Sequence, residues 1–158
     1  MGQNYWSRVL SSSDGSGLAA INTSGSIYIS SNGGSTWAES MSDESSDWYG
    51  ISATSDNSMF AAVAMNNSNV YISKDGGLTW NGTSIGLTLR DVVLSTDGLR
   101  MALLGIDPYY GTGYILTSSN SGETWITRSI AGEKKWNRIT SSSDGELILA
   151  TAYNRLVS

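Results

Sequence analysis

The feature that most limits what this chain can fold into is an octapeptide that occurs three times in phase. It stands first as Ser30-Ser31-Asn32-Gly33-Gly34-Ser35-Thr36-Trp37, then as Ser73-Lys74-Asp75-Gly76-Gly77-Leu78-Thr79-Trp80, and last as Ser118-Ser119-Asn120-Ser121-Gly122-Glu123-Thr124-Trp125. All three read S-x-[D/N]-x-G-x-T-W, and their Trp residues lie 43 and 45 positions apart. A fixed period of that size marks a repeat architecture, in which one unit cannot bury its apolar faces alone and stacks on its neighbours.

The chemistry of the octapeptide is that of a hairpin turn. An apolar strand precedes each copy: Ile27-Tyr28-Ile29, Val70-Tyr71-Ile72 and Tyr114-Ile115-Leu116. The side chain at Asn32, Asp75 or Asn120 accepts bonds from backbone N–H groups just downstream and so shapes the turn. Gly34, Gly77 and Gly122 supply the positive φ of the reversal. Thr36, Thr79 and Thr124 open the returning strand, and Trp37, Trp80 and Trp125 place their rings in the core beside it. This spacing resembles the Asp-box (BNR) repeat of sialidase-like β-propellers, shared with sortilin-type receptors and photosystem II assembly factors. The resemblance implies a propeller whose box turns sit on the rim, away from the ligand face. Asn32 and Asn120 stand where that family usually has Asp, so they keep the turn bonds without the charge.

A second element precedes each box. It runs Tyr5–Asp14, Asp47–Asp56, Thr88–Asp97 and Lys135–Asp144, with the closing Asp residues 42, 41 and 47 apart. Each copy reads as a strand ending in an Asp-centred turn, followed by a short apolar strand rich in Ala or Leu. One unit is then strand, Asp turn, strand, loop, strand, box turn, strand. Four antiparallel strands in about 40 to 45 residues make a propeller blade. The expected fold is all-β, a single partial propeller over 1–158. Its blades are expected at 5–40, 47–83 and 88–130, with an incomplete fourth at 135–158, because Asn154–Ser158 aligns with Asn69–Ser73. No window shows a helical period, and Gly recurs too often for one.

Composition removes several functions. The chain of 158 residues carries a net charge of -5, and charged residues are 15% of it, which argues against a nucleic-acid backbone as partner. With no Cys and no His there is no disulfide, no thiolate or Ser-His-Asp chemistry and no imidazole metal site. No cofactor and no metal is expected. No run approaches the roughly 18 apolar residues of a membrane span, and Met1–Trp6 lacks a basic-then-apolar signal segment. Compartment is left open, a virion or extracellular surface included. Three Asn-x-Ser/Thr matches, at Asn22, Asn66 and Asn81, are what chance gives in so Asn- and Ser-rich a chain.

Candidate ligand contacts lie where the strand opening each unit begins. The first column there reads Trp6, Trp48, Leu89, Trp136; the second Ser7, Tyr49, Arg90, Asn137; the third Arg8, Gly50, Asp91, Arg138. A repeating Trp is explained by packing, whereas variation in the second and third columns is not demanded by it. The third unit alone has a long loop, Asp107-Pro108-Tyr109-Tyr110-Gly111-Thr112-Gly113. Aromatic rings beside Asp and Asn are what sugar recognition uses. The candidate set is therefore Trp48, Tyr49, Arg90, Asp91, Tyr109, Tyr110 and Arg138. The arginine triad and Arg-Ile-Pro motif that the sialidase likeness implies are not carried, since the only proline is Pro108 and Arg90 is one place out of register with Arg8 and Arg138. Carboxylates for glycoside chemistry would come from Asp43, Glu44, Asp47 and Asp91, the first three reading as a solvated acidic patch.

The expected function is a non-enzymatic binding or assembly module, recognising carbohydrate or a protein surface as a homo-oligomer and so lectin-like. The alternatives are a purely structural component of a particle or virion surface, and a degenerate sialidase-like hydrolase fragment. The chain opens on the first strand of a unit and stops at the Ser that would begin a fourth box. A lone arc exposes two apolar blade faces, which two chains would cover by closing head to tail into an eight-bladed C2 ring. A stable monomer would instead favour a closed four-bladed ring.

Overall fold

The computed structural model describes residues 5–23, 25–42, 46–128 and 134–153. Fourteen strands lie among them. β1 (Trp6–Ser11), β2 (Leu18–Asn22), β3 (Ser26–Ser30) and β4 (Ala38–Ser42) form one antiparallel sheet in chain order. A second is β5 (Trp48–Ala53), β6 (Phe60–Ala64), β7 (Asn69–Ser73) and β8 (Asn81–Ser84). The third is β9 (Thr88–Leu94), β10 (Met101–Ile106), β11 (Gly113–Ser118) and β12 (Ile126–Arg128). β13 (Lys135–Ser141) and β14 (Ile148–Tyr153) pair as a two-stranded sheet. The expected third strand of unit four, Asn154–Ser158, lies outside the described residues, as do Asp43 and Glu44.

The turns form because polar side chains satisfy them locally. In the β1–β2, β5–β6, β9–β10 and β13–β14 turns a hydroxyl donates to the Asp two residues on. The pairs are Ser12 to Asp14, Thr54 to Asp56, Ser95 to Asp97 and Ser142 to Asp144, at 2.7, 2.7, 2.6 and 2.5 Å. Each carboxylate then accepts the N–H two residues further, in every case at 3.0 Å. The next residue takes positive φ; it is Gly in three turns and Asn57, at 56°, in the fourth. In the octapeptide turns, Asn32, Asp75 and Asn120 accept the N–H of Thr36, Thr79 and Thr124 at 2.9, 2.9 and 3.0 Å.

Blades pack face to face through alternate residues of each strand. Leu10, Ala19, Ile21, Ile27 and Ile29 of the first sheet meet Trp48, Ile51, Phe60, Ala62, Tyr71 and Trp80 of the second. Ala61, Val63, Val70 and Ile72 on its other face meet Leu89, Val92, Leu103, Leu116 and Trp125 of the third. Val93, Ala102, Leu104 and Ile115 then meet Trp136, Ile139 and Ala150. The rule repeats, so each blade turns one face back and one face forward. Trp80 is half-buried at its interface rather than enclosed. Its indole N–H donates to Ser40 Oγ at 3.0 Å, and the Ser40 hydroxyl donates in turn to the Gly77 carbonyl.

The box glycine has a second reason to be glycine. A Cβ at Gly77 would run into Ile29 Cδ1 of the preceding blade, and one at Gly122 into Ile72 Cδ1. The interface requires that close approach as much as the turn requires φ near +88° and +81°.

Backbone bonds also run from blade to blade. Ser13 N–H donates to Ser55 O at 2.9 Å, Ser55 N–H to Thr96 O at 3.4 Å, and Thr96 N–H to Ser143 O at 2.7 Å. These are the residues just before the turn Asp in each unit.

Candidate binding end of the blades

The inner strands β1, β5, β9 and β13 neighbour one another, and each begins with a β-bulge. The register slips between Trp6 and Arg8, Trp48 and Gly50, Leu89 and Asp91, and Trp136 and Arg138. The extra residue is the second column, Ser7, Tyr49, Arg90 and Asn137. A bulge adds one residue and re-aims the side chain there. It also puts residues three apart on one face, which is why Trp48 and Ile51, or Leu89 and Val92, share a packing cluster.

Trp48 is fully buried, with its ring edge-on to Tyr71 at 5.1 Å, so it offers no face to a ligand. Asp91 is 1% exposed. Its Oδ2 accepts the Ile139 N–H and its Oδ1 the Val92 N–H, both at 3.1 Å. Arg8 Nη2 lies 3.0 Å from Asp91 Oδ1, too oblique for a hydrogen bond, so this contact is an ion pair. Arg8 Nε donates to the Tyr49 carbonyl at 3.1 Å. Arg8 and Asp91 thus tie three inner strands together and are occupied structurally.

The remaining inner-strand candidates are more open. Arg138 is exposed and holds its guanidinium over the half-buried Tyr49 ring, 5.2 Å from the centroid, a cation–π contact. Arg90 reaches Met65 Sδ at 3.6 Å, while its buried Nε has no partner. Tyr109 and Tyr110 are 90% and 86% exposed. Asp107 Oδ1 accepts both their N–H groups, at 2.8 and 2.9 Å, so the loop backbone is held while the rings stand in solvent. Register places this loop at the same end as Arg90: Ile106 closes β10 opposite Thr88 and Gly113. At the loop base, a Cβ on Gly113 would meet the Lys134 carbonyl and Trp136 at the start of β13. Tyr49, Arg90, Arg138, Tyr109 and Tyr110 therefore belong to one end of the fold. Asp14, Asp56, Asp75, Asp97 and Asp144 sit in the turns at the other.

Those turn carboxylates are held below the usual value. For Asp75 the Thr79 hydroxyl, then the Thr79 N–H, then the Ser73 hydroxyl lower it from 3.8 to about 2. Asp14 falls to about 2 through the Ser12 hydroxyl and Ser16, and Asp56 to about 2 through Ser58 and Thr54. Asp97 and Asp144 are lowered chiefly by the hydroxyls of Ser95 and Ser142. Among the described residues no group of three or more His, Cys, Asp or Glu is placed to hold a metal ion.

Sequence reading missed the bulge, the inter-blade backbone ladder and the Arg8–Asp91 pair. A signal for the bulge was present in the three-residue spacing of Trp6 and Val9, Trp48 and Ile51, Leu89 and Val92, and Trp136 and Ile139. Opposite charges in one column, at Arg8 and Asp91, were the signal for the pair.

Neither a family model nor a curated protein matches the sequence. Solved structures do match in shape. The GH74 enzyme of Niastella koreensis superposes with TM-score 0.75 at 15% identity, covering 93% of this chain and 26% of that one. The β-propeller domain of Cps50 (Swd1) from Myceliophteria thermophila gives 0.70 at 11% identity, covering 96% and 50%. YCF48 bound to a D1 peptide gives 0.61 at 16% identity, covering 96% and 53%. The chain spans about a quarter to a half of the length of these structures. At such identities the likeness shows the fold alone: an all-β, incomplete β-propeller of antiparallel blades.

Proposed function

We propose that the chain is a non-enzymatic propeller module that binds a carbohydrate or a protein surface at the end carrying Tyr109 and Tyr110, and that it works as a homo-oligomer. The observation that carries this is the tyrosine pair: two adjacent rings almost fully in solvent, on a loop one blade alone possesses, its backbone pinned by Asp107. Preordered exposed aromatics give contact area at low entropic cost. Tyr49, Arg90 and Arg138 add planar polar groups at the same end. The octapeptide turns fit the Asp-box type in spacing and in their Thr N–H bonds, and Asp-box modules of this kind put binding on the loop end. YCF48, similar in fold, has been solved with a peptide bound, which favours keeping a protein surface beside a glycan.

The non-enzymatic reading is supported by how the carboxylates are used. Five cap turns, and Asp91 is engaged by Arg8, Val92 and Ile139. A glycan array and a fluorogenic glycoside panel test both halves. Binding to a glycan class without turnover is the expected result, and turnover of any glycoside would overturn it. The second reading, a purely structural component, is favoured by the apolar outer faces of the first and last blades. An array with no glycan hit, together with no binding of extended peptides, would leave that reading in place of the first.

A further inference from the structure

We propose that the open face of the β1–β4 blade is the receptor for the open face of the β13–β14 blade on a second copy of this chain, head to tail. The inference rests on the homo-oligomer part of the reading above and is independent of what the loop end binds.

The open face presents Trp6, Val9, Ala20, Tyr28 and Trp37 around one apolar groove. Every one of these has a repeat equivalent that is covered elsewhere in the chain. Val9 is 75% exposed, whereas Ile51, Val92 and Ile139 at the same register are 5%, 1% and 6%. In each internal interface the covering partner is the same strand position of the preceding blade: Ala19 over Ile51, Ala61 over Val92 and Ala102 over Ile139, each pair sharing a cluster. The fourth member of that partner column is Leu149, and it is 66% exposed. The structure thus contains the socket three times filled and once open, and the plug three times used and once free.

Two further observations point the same way. The backbone ladder from turn to turn has a direction. Among the described residues it leaves the Ser143 N–H without a backbone acceptor at one end and the Ser13 carbonyl without a backbone donor at the other. A copy docked head to tail would join Ser143 N–H to Ser13 O and continue the ladder in register. Over Gly77 and Gly122 sit Ile29 and Ile72 of the preceding blade, while the space over Gly34 holds only the chain's own Leu18 and Trp37. A sugar would find little in the groove, since its five lining side chains include no carboxylate, amide or guanidinium to read hydroxyls. Such a contact closes a C2 ring if the arc of one chain turns through half a circle.

The chain has no cysteine, so a crosslink can be introduced cleanly. Val9 and Leu149 lie on opposite outer faces of the arc and cannot reach one another within one molecule. The Val9→Cys/Leu149→Cys variant at micromolar concentration under mild oxidant is expected to give a covalent dimer on a non-reducing gel, well above either single-cysteine control. Wild-type protein is expected to scatter light as about twice its 16.8 kDa, and Val9→Asp to shift the mass toward monomer. A folded wild-type monomer by light scattering overturns the proposal without recourse to any variant. A dimer whose double-cysteine variant crosslinks no better than the single controls overturns the head-to-tail geometry. Neither outcome depends on a glycan or peptide ligand, so failure here is distinct from failure of the binding reading.

Discussion

Arg8 of β1 pairs with Asp91 of β9 across the intervening strand β5, at 3.0 Å. Gly50 lets this happen, since a Cβ there would stand 3.2 Å from both Asp91 Cα and Asp91 Oδ1. The third repeat column is therefore a single device, a cation, a gap and an anion on successive blades. Removing one member of a buried pair leaves the other uncompensated. Asp91→Ala, which also orphans the Ile139 N–H, is expected to cost about 3 kcal/mol, the low end for such losses because Arg8 keeps some solvent. Urea denaturation measures it, and a loss under about 1 kcal/mol would be inconsistent with the pair holding three blades together.

Gly77→Ala should destabilise through both its φ of +88° and its approach to Ile29 Cδ1, by about 1–3 kcal/mol as overpacking does. Ile29→Val removes the atom the new methyl strikes. The double variant is expected to be more stable than the sum of the singles by at least about 0.5 kcal/mol, a coupling that sites out of contact do not show. Additive losses would mean the glycine serves the turn alone.

Trp80 is half-buried between the first two blades and bonded to Ser40. Trp80→Ala is expected to cost about 2–3 kcal/mol, somewhat below the range for fully enclosed aromatics. A thermal or denaturant midpoint unchanged within error would show that the ring is not holding that interface.

Stability should fall in acid. Asp14, Asp56 and Asp75 have folded values near 2 against 3.8. A depressed carboxylate contributes stability that is fully present above its unfolded value and is lost as pH drops through the folded one. The denaturation midpoint should therefore be flat above pH about 5 and decline between about 4 and 2. Asp75→Asn gives that turn the chemistry of Asn32 and Asn120. The variant should fold and show a shallower decline, and an unchanged slope would remove Asp75 as a contributor.

The sequence made the repeat unit, the strand order and the turn chemistry legible, because each rests on local residues: Ser12 with Asp14, Ser73 with Asp75 and Thr79, and the alternation of Ala61 and Val63 against Ala62 and Ala64. What it left hidden depends on contacts between units. Trp48 reads as an aromatic at the mouth of a strand, and only its stacking on Tyr71 under the first blade shows that it is core. Asp91 reads as a free carboxylate until Arg8 arrives from two blades away. Tyr109 and Tyr110 were readable as exposed because their loop has no counterpart to pack it.

The binding claim rests on those two rings, and a titration of the best array hit against wild type and the Tyr109→Ala/Tyr110→Ala variant tests it most directly. The account predicts at least about tenfold weaker binding, or about 1.4 kcal/mol, with an unchanged melting temperature, because both side chains are in solvent. Equal affinity in the two proteins would contradict it and would move the site to Tyr49 and Arg138 on the inner strands.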